Sequence, residues 1–580
     1  MKRIRILSVL LVLIMLTGLL GSVGMAEEKR VLKIGAVSDY ADAFDTFPMI
    51  QRIKDELNID IEFTYYTEDA YAAMIAGGQL PDLMMGKHNL PTVIANKVAM
   101  NVRPYLEEYC PNALSDAYRP TVELLCNLMG GDDNGMYVFP PQVGMGRPEG
   151  ANMMVQRGYV LRYDYYKELG CPPIHNDDDF INVLLQMHEL HPTAEDGSPN
   201  FLMGTTAKIN YLGGLRASFR QDLATNPWCF RMYRSSSWDN ELLDCYTNPE
   251  ISPYWADMEF YNKVYRAGGG EGGFGYDPDC FTMTQDEFEA KVANGQYLGM
   301  EYLYQNLYNE ARKEDPDTIK AHFTVPSENM LVYAWYYMPL GNAPSSFWFI
   351  PSYSQNWDLA LRYLNYLCDA EFARYCFSGV EGKDWVYNEE GVPCLTDEAI
   401  EGIKNGDEYW SWEGQGFHQD TNMWLLRGSA VCADGALADL TWMPDAFQKS
   451  QTKLQDDISK TYGVDYYFQI YEKVGAKDYR NDLGENIAAA VTEIPSEIQR
   501  IYSAMNDVMT SAMPELVLAE NDEEWLAVQA DVIEELQELG CDKAWDWFKA
   551  AWEEPKNQFN AILSDVQATY GLEPWPVPEK

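Results

Sequence analysis

An alternation of strand and helix patterns near the start of the chain limits the possible folds most strongly. Val31–Val37 is a short apolar run typical of a strand, and apolar residues follow at helical spacing over Phe47–Leu57. Ile59–Tyr65 alternates strictly between apolar and polar residues, which indicates a strand with one buried face. Tyr71–Ala76 and Pro81–Met85 repeat the helix and strand patterns. Strand, helix, strand, helix and strand at these lengths predict an α/β unit with a parallel sheet.

The length, composition and charge of the chain further limit its domain organisation and its possible functions. A chain of 580 residues is too long for one hydrophobic core, so at least two domains are expected. The hydrophobic fraction of 47% excludes a mostly disordered chain. The formal net charge of −46 repels phosphate, which excludes non-specific nucleic-acid binding as the function.

The first residues have the three parts of a secretory signal. Lys2, Arg3 and Arg5 are positively charged, Ile6–Leu20 is apolar, and Gly24–Ala26 offers the small residues that a signal peptidase recognises. We therefore predict cleavage after residue 26 and a location outside the cytoplasm. The apolar stretch is short for a membrane span, so a single anchor is the weaker alternative.

The cysteine pattern argues against two kinds of chemistry. The chain has 11 cysteines and no CxxC pair, which disfavours a metal knuckle and thioredoxin-like redox chemistry. Free, buried thiols are the favoured interpretation, and one or more disulfides are the alternative.

Common catalytic motifs are missing from the sequence. It contains no HExxH, no GxSxG, no Walker A loop and no EF-hand loop, so we expect neither an enzyme nor a cofactor. Gly268–Gly273 matches GxGxxG formally, but it follows a helical pattern, so we interpret it as a flexible loop. The many carboxylates leave glycoside hydrolysis open as a minor alternative.

Aromatic residues are abundant and many occur in loop-like settings. The chain has 16 Trp, 39 Tyr and 22 Phe residues. Aromatic rings offer flat apolar faces that suit the C–H face of a sugar ring. For any single aromatic residue, ordinary core packing is the competing interpretation.

Six segments, in this order, resemble motifs of the family-1 extracellular solute-binding proteins, in the large oligosaccharide-binding branch that serves ABC importers. Each motif is weak alone, but their order makes the resemblance specific over nearly the whole chain after residue 26. The segments are Ala76–Asp82, Asn101–Leu106, Asn134–Pro140, Arg162–Gly170, Gly379–Trp385 and Glu524–Gly540.

The resemblance implies a type II, periplasmic-binding-protein-like α/β fold with two lobes and a cleft between them. Residues 27–155 would begin the first lobe, and 156–325 would form the second. Residues 326–580 would return to the first lobe and add C-terminal helices. The implied function is capture of a carbohydrate by a monomer that delivers it to ABC permease subunits. A binder of peptides or another solute with the same fold is the alternative.

The chain departs from the family in two places. Family members often carry a lipid-anchoring cysteine at the cleavage site, but the first cysteine here is Cys110, so we expect no lipid anchor. Relatives often have a calcium loop where this chain has His191–Asn200. His191 and Thr193 replace oxygen-rich ligands there, so we expect no metal.

The resemblance also yields candidate ligand-binding residues. The end of the first strand would face the cleft, which favours Asp39 and Tyr40, and Asp82 is expected on the same edge of the sheet. Trp residues in loop-like segments would stack on sugar rings. The full candidate set is Asp39, Tyr40, Asp82, Trp228, Trp335, Trp348, Trp385 and Trp412.

Overall fold

The structure of the protein is a computed structural model. This structure describes residues 29–37, 48–87, 90–144, 158–204, 231–233, 242–244, 246–250, 252–300, 309, 315, 318–327, 331–333, 346–405, 407–410, 425–475, 477–479 and 494–570.

The strands in this part of the chain are short. They are β1 (Arg30–Val37), β2 (Ile59–Tyr66), β3 (Leu83–Lys87), β4 (Val160–Arg162), β5 (Phe201–Met203), β6 (Arg231–Tyr233), β7 (Leu242–Asp244), β8 (Tyr297–Met300), β9 (His322–Thr324), β10 (Leu331–Tyr333), β11 (Ser346–Phe349), β12 (Trp385–Tyr387), β13 (Pro393–Leu395) and β14 (Lys477–Tyr479).

The helices occupy the segments between the strands and the C-terminal part. They are α1 (Pro48–Leu57), α2 (Glu68–Gly77), α3 (Leu90–Ala95), α4 (Leu106–Tyr109), α5 (Arg119–Met129), α6 (Tyr163–Glu168), α7 (Asp177–Leu190), α8 (Pro253–Ala267), α9 (Gln285–Ala293), α10 (Trp357–Leu367), α11 (Ala370–Ser378), α12 (Asp397–Asn405), α13 (Pro444–Ser450), α14 (Lys453–Tyr462), α15 (Gln469–Lys473), α16 (Ser496–Val517), α17 (Asp522–Glu538) and α18 (Cys541–Tyr570).

The first sheet has the strand order β11-β3-β1-β2. β1 is parallel to β2 and β3, as the alternating strand and helix patterns predict, and β11 is antiparallel to β3. Thr67 caps α2 by accepting a hydrogen bond from the backbone N–H of Ala70. Gly78 ends the helix at a φ of 63°, a left-handed conformation that favours glycine.

The second sheet has the order β5-β8-β4-β9. β5 and β8 are parallel, and β4 is antiparallel to both β8 and β9. Two sheets with helices against them confirm the predicted α/β class. The strands of the first sheet come from residues 30–87 and 346–349, and those of the second come from residues 160–324. The lobe boundaries at residues 155 and 325 stay a prediction.

Part of the chain after residue 325 packs on the second lobe rather than on the first. The carboxylate of Asp457 on α14 accepts hydrogen bonds from the Tyr163 hydroxyl at 2.8 Å and from the Lys167 ammonium at 2.6 Å. On α15, the Tyr471 hydroxyl donates to the backbone carbonyl of Thr324 at 2.9 Å. Residues 453–473 therefore return to the second lobe, which the predicted division of the chain does not include.

The C-terminal helices contact both lobes. α16 packs on α8, where the side-chain amide of Asn262 donates to the carbonyls of Val517 at 3.1 Å and Ala519 at 2.6 Å. α18 packs on α5 of the first lobe, and α16 also contacts α18. Most of the Glu524–Gly540 motif lies on α17, which ends at Glu538, and Gly540 follows at a φ of 95°.

Two segments form structures that their residue patterns do not reveal. Apolar residues recur at helical spacing from Asp358 to Arg374, but the segment forms two helices, because the Asp369 carboxylate accepts a hydrogen bond from Glu371 N–H and starts α11. The glycine-rich segment is not a flexible loop. It is a turn held by backbone hydrogen bonds, including Phe274 N–H to the Gly268 carbonyl at 2.8 Å. A Cβ on Gly268 would meet the backbone of Gly275 at 2.1 Å, so this turn requires glycine.

Candidate functional site at the carboxyl edges of the two sheets

The carboxyl edge of the first sheet is where several segments leave the core. β1 and β3 end there with Val37 and Lys87, and antiparallel β11 begins there with Ser346, which pairs with Lys87. In α/β sheets, ligands bind outside the carboxyl ends of parallel strands. This edge is therefore the first wall of the candidate site.

A further segment extends this edge on the other side of β11. Phe139 pairs antiparallel with Trp348, so the chain runs parallel to β3 there and reaches the carboxyl edge at Pro140–Gly144. Val143 donates to the carbonyl of Leu425 at 2.7 Å and accepts from Arg427 N–H at 2.7 Å. Residues 425–427 are thereby fixed beside the same edge.

Two buried polar side chains lie at this extension. Gln142 and Arg427 are only 6% and 5% exposed. Gln142 has a φ of 63°, which is uncommon for a residue with a side chain and costs of order 1 kcal/mol or more when imposed by the surroundings. An amide and a guanidinium can bond hydroxyl groups, so both are candidate ligand contacts.

A buried carboxylate supports the segment that carries Arg427. Asp439 N–H donates to the Gly428 carbonyl at 2.9 Å, and its carboxylate accepts from Thr441 N–H at 2.9 Å. Burial raises the pKa of Asp439 to about 6, although the hydrogen bonds from Thr441 oppose this shift.

The second sheet presents an equivalent edge. Val160 at the start of β4 pairs with Met300 at the end of β8 and with Thr324 at the end of β9. β5 is parallel to β8 and ends beside it. The carboxyl ends of β5, β8 and β9 therefore meet at one edge, which is the second wall of the candidate site.

The two walls are close together in the sequence. Gly144 at the edge of the first sheet and Gly158 before β4 at the edge of the second are separated by residues 145–157, which lie outside the described part of the chain. At the edge of the second sheet, the N–H of Val325, which follows β9, donates to the carbonyl of Tyr159 at 2.8 Å. Concave ligand sites commonly occur between lobes, so the carboxyl edges of the two sheets are the candidate walls of such a site.

Most predicted ligand-binding residues lie outside the part of the chain that the structure describes. Asp39 and Tyr40 come directly after β1, whose end lies at the first wall. Their role stays a prediction. The other candidates outside the described residues are Trp228, Trp335 and Trp412.

Trp348 lies in the core of the first lobe. It is on β11 between β3 and the Phe139 segment, is 0% exposed, and its ring lies 6.3 Å from that of Tyr363. The ring presents no face to a ligand in this arrangement, so core packing is the interpretation that the geometry favours.

Trp385 has a similar structural setting. It is 6% exposed, its indole N–H donates to the Gly379 carbonyl at 3.2 Å, and the Arg374 guanidinium lies 5.3 Å from its ring centroid. The carboxylate of Asp384 closes the same turn by accepting from Val380 N–H at 2.8 Å. The Gly379–Trp385 motif thus builds a local turn, and its Trp packs inside it.

The predicted position of Asp82 is wrong. β3 begins at Leu83, which pairs with Ile34 in the parallel register, so Asp82 lies at the amino edge of the sheet and not beside Asp39. Its carboxylate accepts from Lys33 N–H, the Ser354 hydroxyl and the Asn356 amide, each at 3.1 Å. Asp82 therefore joins β1 to the segment before α10, a structural role.

The structure also adds residues that the sequence interpretation missed. Gln142 follows Pro140 and Pro141, and this pair is a signal that the strand ends and the chain turns. Arg427 is a cation between Leu426 and Gly428, where nothing in the local pattern indicates burial beside an edge.

The segment His191–Asn200 forms a turn closed by the protein itself. Ala194 N–H donates to the Ser198 carbonyl at 2.8 Å, Asn200 N–H donates to the Pro192 carbonyl at 3.0 Å, and Lys320 pairs with the Glu195 carboxylate. Among the described residues, no group of three or more His, Cys, Asp or Glu side chains is arranged to hold a metal ion.

Within the described ranges, no helix combines the length and the apolar composition needed to cross a membrane.

No protein-family model matches the chain, and no curated protein matches it. Solved structures share its fold. The S. pneumoniae ABC-transporter substrate binding protein FusA in complex with kestose is 16% identical with a TM-score of 0.54, covering 92% of this chain and 100% of its own. An HMO-binding, ABC-transporter-associated solute-binding protein from Bifidobacterium longum infantis is 12% identical with a TM-score of 0.52, covering 92% and 99%.

An extracellular solute-binding protein from Bifidobacterium longum subsp. infantis gives the same result, with 12% identity, a TM-score of 0.53 and coverage of 92% and 99%. The likeness spans nearly all of each chain, so the predicted solute-binding-protein fold is confirmed. All three neighbours are named as binding proteins.

Proposed function

We propose that this protein captures a carbohydrate, most simply an oligosaccharide, between its two lobes and delivers it to an ABC importer. The single observation that carries the proposal is the shared fold over 92% of the chain with FusA bound to kestose. The HMO-binding neighbour from Bifidobacterium supports the same ligand class.

The arrangement of the two sheet edges supports this proposal. A ligand between two walls contacts both lobes at once, so it can favour the closed arrangement by its differential affinity for that state. Such binding is reversible and needs no covalent step. We therefore propose a binding protein rather than an enzyme, which agrees with the missing catalytic motifs.

The proposed place of action is outside the cytoplasm. The charged, apolar and small-residue parts of the leader support export with cleavage after residue 26, and the partners would be permease subunits. Amino-terminal sequencing of exported protein should then begin at Glu27. A mature chain that retains Met1 would contradict the proposed cleavage.

Some of the proposed ligand contacts are predicted from the sequence, and others are added by the structure. Asp39 and Tyr40 follow β1 at the first wall, and Gln142 and Arg427 lie on its extension. The Trp residues of the prediction that the structure does not describe, Trp228, Trp335 and Trp412, remain proposed stacking platforms.

A ligand screen tests this function. Thermal shift with panels of oligosaccharides and of peptides, followed by calorimetry, should identify an oligosaccharide that binds. A ligand at 100 times its Kd stabilises the protein by about 2.7 kcal/mol. Stabilisation by peptides alone would favour the other solute class, and cleavage products after incubation would favour a hydrolase.

Variants then test the site. Asp39→Asn, Trp335→Ala and Arg427→Lys should weaken binding of the identified sugar, with Leu526→Ala on the exposed surface of α17 as the matched control. If all three site variants keep full affinity, the proposed site is wrong even where sugar binding is real.

A further inference from the structure

Two buried cysteines from distant parts of the chain meet in the first lobe. Cys110 ends α4 and Cys368 ends α10, and both side chains are 0% exposed. Both thiols are free in the structure, and the Cys110 thiol is near enough to that of Cys368 to help raise its pKa. The closest cysteine pair in the sequence, Cys368 and Cys376, is not the pair that the fold brings together.

The two segments are held in register beside the thiols. Asn112 N–H donates to the Asn365 side-chain oxygen at 2.8 Å, and the Asn112 amide donates to the Asn365 carbonyl at 3.1 Å. Trp357 of α10 packs against Tyr105 and Tyr109 with ring centroids 4.6 Å and 5.1 Å apart. These contacts restrict the relative motion of the two cysteines.

The pair is closed off from solvent. The phenol of Tyr118, itself 0% exposed, is close enough to interact electrostatically with both thiols, and its hydroxyl donates to the Pro140 carbonyl at 3.0 Å. Burial raises the pKa of Cys368 well above its ordinary value, so the folded protein holds it as an unreactive thiol.

From this geometry we propose that Cys110 and Cys368 form a structural disulfide when the chain folds under oxidising conditions. The oxidant is an external disulfide. Both protein thiols lose their protons, one S–S bond forms between them, and the oxidant takes up two electrons and two protons as two thiols. Because the folded site is closed, the exchange occurs before the first lobe has packed around the pair.

The bond would enclose all four strands of the second sheet in one covalent loop. Its two ends lie 258 residues apart and both belong to the first lobe. A cross-link limits the unfolded chain more than the folded chain, which stabilises the protein. The inference depends on the proposed extracytoplasmic location only for the natural oxidant, and the experiment supplies its own.

The test refolds the full chain from denaturant in oxidised and reduced glutathione, then denatures and alkylates it without reduction. Mass spectrometry should find at least two fewer alkylated cysteines than the 11 in the chain, and peptide mapping should find a Cys110–Cys368 link. Alkylation of both Cys110 and Cys368 in this sample would overturn the proposal, as would a link from either to another cysteine.

A stability comparison separates the bond from ordinary burial. Adding reductant during refolding should lower the Tm of the wild type and of Cys126→Ala/Cys376→Ala, a control that removes two other buried thiols. Cys110→Ala/Cys368→Ala should show no change in Tm with reductant. Equal shifts in both double variants would contradict the proposal. No readout involves sugar, so its failure is distinct from failure of the proposed function.

Discussion

Because Trp348 is fully buried, we expect it to stabilise the first lobe rather than to bind ligand. Its side chain is 0% exposed between β3 and the Phe139 segment, so Trp348→Ala leaves a cavity that the strands cannot fill. We expect a loss of about 3–5 kcal/mol in the free energy of unfolding. Urea denaturation followed by circular dichroism measures it. Leu526→Ala, at a site 56% exposed, should stay within about 0.5 kcal/mol. An unchanged stability with a large loss of sugar affinity would instead identify Trp348 as a platform.

Asp439 should make stability depend on pH in a recognisable direction. Burial raises its pKa to about 6, so the folded state binds the proton more tightly than the unfolded state. Stability is then greatest below the unfolded pKa and falls as pH rises to about 6. Relative to Asp439→Asn, the wild type should lose about 2–3 kcal/mol between pH 4 and pH 7.

Asp434 is the control with the opposite sign. Burial alone would raise its pKa, but the hydrogen bonds from Arg374 hold the pKa below its ordinary value. Its contribution is therefore present above the unfolded pKa and is lost only as pH falls through the folded pKa. Denaturation curves of both Asp→Asn variants from pH 3 to pH 7 should diverge. A flat difference for Asp439→Asn across this range would show that the buried carboxylate has an ordinary pKa.

At the residue scale, the sequence is a poor guide to which side chains face a ligand. Asp82 lies in a turn before a strand, and only the register of β3 against β1 reveals that it is at the amino edge. Trp348 lies in an aromatic run. Such a run is as typical of a cleft wall as of a strand that is covered on both faces. Gln142 depends on a backbone conformation that no residue pattern encodes.

We expect the stability of the loop formed by residues 191–200 to be independent of calcium. Backbone hydrogen bonds close the turn and Lys320 neutralises Glu195, so the segment needs no cation to hold its shape. Adding EGTA should leave the Tm unchanged, and excess calcium should not raise it. A large fall in Tm on chelation that calcium alone restores would refute this expectation.

Secondary-structure elements were easier to predict than sites. The strictly alternating pattern predicts β2, and Asn176 with three acids marks the start of α7, where its side chain accepts from Asp179 N–H. The residue pattern does not reveal the break between α10 and α11, because apolar spacing continues through Asp369 while its carboxylate starts a new helix. Apolar residues at helical spacing indicate which face is buried, but they do not show where a polar capping residue ends one helix and begins the next.

For the whole molecule, the attachment of the C-terminal helices to the second lobe can be tested through Asn262. Its buried amide donates to two carbonyls at the end of α16, those of Val517, the last residue of the helix, and of Ala519, two residues beyond it. Asn262→Ala leaves both carbonyls without this donor, which should cost about 1–3 kcal/mol. Asn557→Ala, whose exposed amide only meets Glu553 at 3.3 Å, is the control. Equal denaturation midpoints for the two variants would show that this junction contributes no stability.

The two-lobed architecture was predictable mainly because the order of motifs along the chain follows a known family. The physical pattern alone predicts an α/β unit and more than one domain. It does not predict that residues 453–473 pack on the second lobe. That contact depends on the bonds of Asp457 to Tyr163 and Lys167, both of which are far from Asp457 in the sequence.

The pairing of β11 with β3 has a consequence for the order of folding. Met84 must pair with Phe349, and the whole second sheet is encoded between them. A sheet that depends on so distant a strand forms slowly, since a long loop must close first. Until then β3 has an unpaired edge of apolar residues, which is a template for aggregation. A chain emerging in order therefore has all strands of the second sheet before the first sheet can be completed, and a chaperone that covers residues 83–87 should raise the yield of native protein.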